Sequence, residues 1–197
     1  EDAESLCWSP DGRSLAFTAV ARVKTLVVSG GAPDVLGPIR NPQGMALTWG
    51  PDGTILFADR RGVWRVQGHG DAPTKIVSSS PDEPAASPEF LPDGRHFLLA
   101  VGRAGQAKAG TFVVALDGTT RTRLLDFPTS ARYASGRLLF VRDRELYAQA
   151  FDLSRLLLAG AAAPLAENVA QGFSASRNGA VAYLPVSASG LADSTQL

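Results

Sequence analysis

Trp8-Ser-Pro-Asp-Gly12, Trp49-Gly-Pro-Asp-Gly53 and Phe90-Leu-Pro-Asp-Gly94 are three copies of one turn, an aromatic followed two residues later by Pro-Asp-Gly. Each runs at once into an apolar segment: Leu15-Ala16-Phe17, Ile55-Leu56-Phe57 and Phe97-Leu98-Leu99. Weaker copies continue at Ser135-Gly136 before Leu138-Leu139-Phe140, and at Asn178-Gly179 before Val181-Ala182-Tyr183. The turn glycines stand at 12, 53, 94, 136 and 179, at intervals of 41, 41, 42 and 43 residues. A period of this size, built from short strands, is the signature of a β-propeller blade.

Working outward from the turns, runs of apolar and β-branched residues alternate with Gly, Pro, Asp and Ser, the pattern of strands. No stretch keeps a helical apolar period free of Gly or Pro. The chain therefore reads as all-β, a propeller of four-stranded antiparallel blades over 1–40, 41–80, 81–127 and 128–167, with 168–197 incomplete. Strands are expected near 3–8, 14–20, 24–29 and 33–36, then 45–49, 54–58, 62–67 and 74–77. Blade three takes 86–90, 95–101, 111–116 and 121–125, and blade four 130–133, 137–141, 145–151 and 162–166. Only 169–175 and 180–186 remain for the fifth, so the expected ring is incomplete, about four and a half blades. A half-blade leaves strand edges open, which points to flanking sequence and to self-association of the isolated chain.

The 197 residues are 45% hydrophobic and 19% charged, with nineteen bases balancing nineteen acids. That composition suits a globular domain with a sizeable core. The absence of net charge supplies no general attraction for nucleic acid or an anionic membrane. Cys7 is the lone cysteine, so no internal disulfide forms, and a small buried hydrophobe is its expected role. No apolar run is long enough to span a membrane, and Glu1-Asp2-Ala3-Glu4 does not resemble a signal peptide.

The repeated aspartates Asp11, Asp52 and Asp93 are explained as turn formers. Proline presets φ, the aspartate caps its own backbone, and Gly12, Gly53 and Gly94 take the left-handed conformation, as do Gly136 and Gly179 in the later copies. No interleaved Asp-x-Asp-x-Asp-Gly loop supplies a calcium cage, and no metal or cofactor is expected. Trp8, Trp49 and Phe90 hold equivalent places, with Tyr133 and Phe173 in the later blades, and are expected to pack between neighbouring sheets. Neither His69 nor His96 has a Cys or second His at metal-ligand spacing, and no Gly-x-Ser-x-Gly elbow occurs, so no catalytic residue is expected. The Arg60-Arg61-Arg65 and Arg121-Arg123 clusters read as solvated strand faces, with an anion clamp as the alternative. Two long loops, 78–88 and 102–110, are the places where a rigid scaffold would carry binding.

The segments Trp8–Phe17 and Phe90–Leu99 resemble the repeat of TolB-like propellers, a repeat found also in dipeptidyl-peptidase-type enzymes. The ordered later pieces are Tyr133-Ala-Ser-Gly-Arg-Leu-Leu-Phe-Val141, Glu145–Asp152, Pro164–Val169 and Phe173–Tyr183. This series is similar to the C-terminal propeller of bacterial eukaryotic-like serine/threonine protein kinases. The resemblance implies a sensing or protein-interaction module outside the cytoplasm, periplasmic or at the cell surface. It also implies an attached kinase domain and a protein, peptide or cell-envelope ligand. The kinase's own motifs are absent: there is no His-Arg-Asp loop, and Leu125-Asp126-Phe127-Pro128 is not Asp-Phe-Gly. The chain itself is therefore expected to be non-catalytic. Two alternatives stand beside this reading. One is the gating propeller of a serine peptidase, which predicts a downstream α/β-hydrolase domain. The other is a free-standing TolB-like periplasmic scaffold, which predicts a closed ring with no catalytic neighbour.

Overall fold

Pro-Asp-Gly turns and short apolar runs translate into strands throughout. The computed structural model describes residues 3, 5–39, 46–68, 70–176 and 178–186, and among these every regular element is a strand. His69 lies outside the described residues. The strands are β1 (Ser5–Trp8), β2 (Ser14–Ala19), β3 (Arg22–Val27), β4 (Asp34–Pro38), β5 (Leu47–Trp49) and β6 (Ile55–Asp59). They continue with β7 (Gly62–Val66), β8 (Thr74–Ser78), β9 (Ala85–Phe90), β10 (His96–Val101), β11 (Gly110–Ala115) and β12 (Arg121–Leu125). The last six are β13 (Arg132–Ala134), β14 (Arg137–Arg142), β15 (Glu145–Asp152), β16 (Leu157–Ala166), β17 (Val169–Ala175) and β18 (Val181–Pro185).

Within each sheet every strand hydrogen-bonds to the next in sequence, giving four four-stranded antiparallel sheets and one of two strands among the described residues. These are the blades of an incomplete β-propeller, four and a half in number, as the repeat predicts. The chain divides into two compact units, Glu1–Ala131 with Leu153–Leu157, and Arg132–Asp152 with Leu158–Leu197. The first contains the sheets β1–β4, β5–β8 and β9–β12; the second contains β13–β15, nearly all of β16, and β17–β18. None of these elements is a helix long and apolar enough to cross a membrane.

Most boundaries fall within a residue or two of the sequence reading, and two shifts bear on the fold. β3 begins at Arg22, because Ala19 pairs with Arg22 across a two-residue turn in which Val20 and Ala21 have φ of 49° and 56°. Primed hairpin turns of this kind match strand twist but normally announce themselves with Asn or Gly. β16 extends back through Gly160 to Leu157, five residues before the start expected near 162.

Core packing explains the apolar runs. β6 is buried along its whole length, because successive side chains leave opposite faces of a strand and both faces are covered. Ile55 and Phe57 join Ala16, Val23, Leu36, Ile39, Leu47 and Val66 in a cluster shared by the first two blades. Leu56 and Ala58 join Val63, Phe90, Phe97, Leu99 and Phe112 in a cluster shared by the second and third. Burying a side chain such as Phe57 or Leu56 contributes about 1.5–3 kcal/mol. In the second unit Ala134, Leu139 and Ala148 pack against Phe173 and Ala175.

Candidate functional site

The strongest candidate is a cleft of about 570 Å³ in the first unit, lined by Pro38, Phe57, Asp59, Arg61, Trp64, Ala72 and Pro73. It begins at the β6–β7 hairpin. Asp59 ends β6 and pairs with Gly62 across Arg60-Arg61. Asp59 Oδ1 accepts the Arg61 N–H at 2.8 Å, the Gly62 N–H at 3.1 Å and the Trp64 indole N–H at 2.8 Å. One oxygen thus sets the turn and aims the indole. Gly62 has φ of 143°, and a Cβ there would lie 1.9 Å from the Val77 carbonyl oxygen, so only glycine fits.

Phe57 and Trp64 are cross-strand partners whose rings stack 6.5 Å apart at 12°. Beyond Trp64 on β8, Lys75 places its ammonium 4.9 Å from the indole centroid, a cation–π contact. The opposite wall is Pro38 at the end of β4, with Ala72 and Pro73. Gly37 lets that wall close, since a Cβ there would lie 2.7 Å from Asp71 O and 3.3 Å from Pro73 Cδ. Asp71 holds the approach to this wall by accepting the Gly68 N–H at 2.8 Å on Oδ2.

Asp59 is only 7% exposed, and Oδ1 takes all three of its hydrogen bonds. Among the described residues Oδ2 has no partner, yet it is not a sealed orphan, since Thr18 Oγ1 alone has that status. Asp59 is one of the residues that line the cleft. Arg61 lines the same cleft, and among the described residues neither side chain is in an ion pair.

The turn residues singled out from sequence occupy equivalent turns. Gly12, Gly53 and Gly94 have φ of 70°, 89° and 65°, and their N–H groups donate to Ser9 O, Gly50 O and Leu91 O. Asp11 Oδ1 accepts from Ser9 Oγ and Arg13 N, and these bonds, the serine's first, lower its carboxyl from the ordinary value. Asp52 accepts from Thr54 N and Thr54 Oγ1. Asp93 Oδ1 accepts from Arg95 N and His96 N, and Oδ2 lies 2.6 Å from His96 Nδ1. Burial works to raise the Asp93 carboxyl, but the His96 ring and the two N–H groups outweigh it and hold it low. Gly136 and Gly179 have φ of 76° and 97°. No serine hydroxyl bonds to the His96 ring among the described residues, and no three His, Cys, Asp or Glu side chains there are placed to hold a metal ion.

The repeated aromatics are placed as follows. Trp49 packs on the cluster of the first two blades, and Phe90 sits in that of the second and third. A Cβ on Gly50 would touch the Phe90 ring at 2.8 Å. Phe173 packs on Ala134, Leu139 and Ala148, and Tyr133 meets Phe151 edge-on at 6.1 Å. Trp8 is 55% exposed, on the face of β1 opposite Cys7.

The two long loops meet. Lys108 Nζ lies 2.9 Å from Glu83 and, with Arg121 at 4.0 Å, lowers its carboxyl. Arg121 and Arg123 lie 3.8 Å and 5.3 Å from the Phe112 ring, and Arg123 donates to Ala107 O. This cluster is self-satisfied and open to solvent, whereas the Asp59 cleft is not. Of the cleft, the sequence reading singled out only Arg61, within its Arg cluster. Phe57 was read only as part of an apolar run, and Asp59 and Trp64 were not singled out, although an acid closing an otherwise apolar strand was the available signal.

No family model and no curated protein matches the sequence. Solved structures do. TolB from Acinetobacter baumannii superposes with a TM-score of 0.70 at 16% identity, over 91% of this chain and 47% of that one. A gluconolactonase from Xanthomonas campestris gives 0.66 at 16% identity, over 92% of this chain and 69% of that one. Regucalcin from Agrobacterium tumefaciens, a calcium-binding protein, gives 0.58 at 17% identity, over 82% and 58%. The chain spans about half the length of the TolB structure. Its fold is a β-propeller with TolB among its structural neighbours. At these identities the likeness carries the fold alone, which TolB shares with a lactonase and a calcium-binding protein.

Proposed function

We propose that this chain is a non-catalytic, TolB-like propeller module that binds a protein or peptide, with the Asp59 cleft as its ligand site. The observation carrying this is the cleft itself: aromatic and proline side chains line it together with Asp59, a buried carboxylate with one oxygen unpartnered among the described residues, the usual make-up of a recognition site. Proline and aromatic walls suit an extended peptide, whose backbone is already close to its bound conformation.

Selecting displayed peptides on the 197-residue chain tests this. Arg61 is exposed, so Arg61→Glu leaves the fold intact while reversing the charge of one wall. Enriched peptides should bind that variant with a changed affinity. Enrichment that is indifferent to it places the ligand elsewhere and overturns the site.

The resemblance of Tyr133–Val141, Glu145–Asp152, Pro164–Val169 and Phe173–Tyr183 to kinase-linked propellers supports a finer reading. In it the module senses a cell-envelope ligand outside the cytoplasm for an attached serine/threonine kinase. A parent gene with no kinase domain and no membrane span upstream of Glu1 would sink that part. The lactonase among the structural neighbours motivates one control: lactone hydrolysis by the purified chain would overturn the non-catalytic reading.

A further inference from the structure

We infer that the Asp59 cleft is selective for a cation on an apolar stem, namely a lysine or arginine side chain of an extended peptide. The inference rests on the reading that this cleft is the ligand site, and it names what the cleft selects.

Two observations carry it. Asp59 lines the cleft and is 7% exposed, its Oδ1 is saturated by three N–H donors, and its Oδ2 has no partner among the described residues. A carboxylate held in that state is stabilised by any donor that reaches the free oxygen, and most by a charged one. Phe57 and Trp64 line the same cleft and give it an apolar surface that suits a methylene stem. The indole of Trp64 already holds the Lys75 ammonium at 4.9 Å, so a second cation gains from the Asp59 oxygen and not from this ring.

Arg61 limits the choice. Its guanidinium shares the cleft without pairing to Asp59, so a bare cation meets repulsion there. A peptide carries carbonyl groups beside its basic side chain, and these are acceptors for Arg61. A small free amine has none. The volume of about 570 Å³ exceeds one side chain and leaves room for the flanking residues.

The test uses three blocked tripeptides, acetyl-Pro-X-Pro-amide with X lysine, norleucine or glutamate, titrated into the 197-residue chain. The readout is the indole N–H resonance of Trp64, the proton that Asp59 accepts. Lysine should shift it saturably, with norleucine at least about tenfold weaker and glutamate inert. Asp59→Asn keeps an oxygen for the three N–H donors and removes the charge, so in this variant lysine and norleucine should bind alike. A norleucine peptide equal to lysine in the native chain overturns the cation selectivity while leaving the cleft as a binding site. Lysine preference that persists in Asp59→Asn overturns the role of Asp59. An indole signal that moves with none of the three peptides overturns both the selectivity and the site.

Discussion

Asp59 and Trp64 are tied by a 2.8 Å hydrogen bond from the indole N–H to a carboxylate oxygen that also closes the β6–β7 turn. The turn and the aromatic wall are therefore one unit. Asp59→Ala should leave the Gly62 N–H and the indole without an acceptor and destabilise the chain by about 3 kcal/mol. Asp59→Asn should cost less than half of that, because an amide oxygen accepts the same bonds. Urea unfolding of the two variants checks this, and equal losses would mean that charge rather than the acceptor holds the turn.

Gly62 is needed for space and Gly105 for conformation only. A Cβ at 62 meets the Val77 carbonyl at 1.9 Å, whereas nothing lies within 4 Å at 105, where φ is 85°. Gly62→Ala should therefore destabilise by about 3 kcal/mol or more. Gly105→Ala should lose only about 1–2 kcal/mol, the strain of a left-handed alanine. Thermal melts that ranked the two the other way round would contradict the packing described for β7 and β8.

The architecture was legible because turn chemistry is local. Pro-Asp-Gly fixes a bend within three residues, and the apolar runs after it are buried wherever they fall, as Ile55–Ala58 shows on both faces. The tight turn at Val20-Ala21 was not legible, since neither residue type favours positive φ and only the Ala19–Arg22 pairing imposes it. The cleft was hidden for a different reason: a repeat draws attention to what recurs, and the site lies in what does not. Asp59 closes its hairpin where Ala19, Val101 and Arg142 close theirs, so one blade alone carries an acid there. Comparing the blades position by position would have found it. That Asp59 lines a cleft depends on Pro38 and Pro73, which are distant in sequence.

Phe90 and Trp8 hold the same place in the repeat but have opposite surroundings, 5% against 55% exposed. Phe90→Ala should open a cavity under Gly50 and lose about 3–5 kcal/mol. Trp8→Ala should lose less than about 1 kcal/mol, the range of a surface substitution. Equal losses in chemical denaturation would show that Trp8 is packed in solution.

Asp93 makes stability depend on acid. Its carboxyl sits below the ordinary 3.8 because the His96 ring and the Arg95 and His96 N–H groups outweigh the effect of burial. A carboxyl lowered by folding stabilises the folded chain above its unfolded value, and that contribution is lost as pH falls through the folded one. Asp93→Asn keeps an acceptor for the two N–H groups and removes the charge facing His96. The native chain should therefore melt higher than the variant at about pH 6, and the gap should close on acidification below 3.8. Asp11, Glu83 and Asp117 are lowered too and keep an acid slope in both proteins, so the difference between the two melting curves isolates Asp93. A gap that stayed constant down to about pH 2 would mean that the interaction does not require the ionised carboxylate.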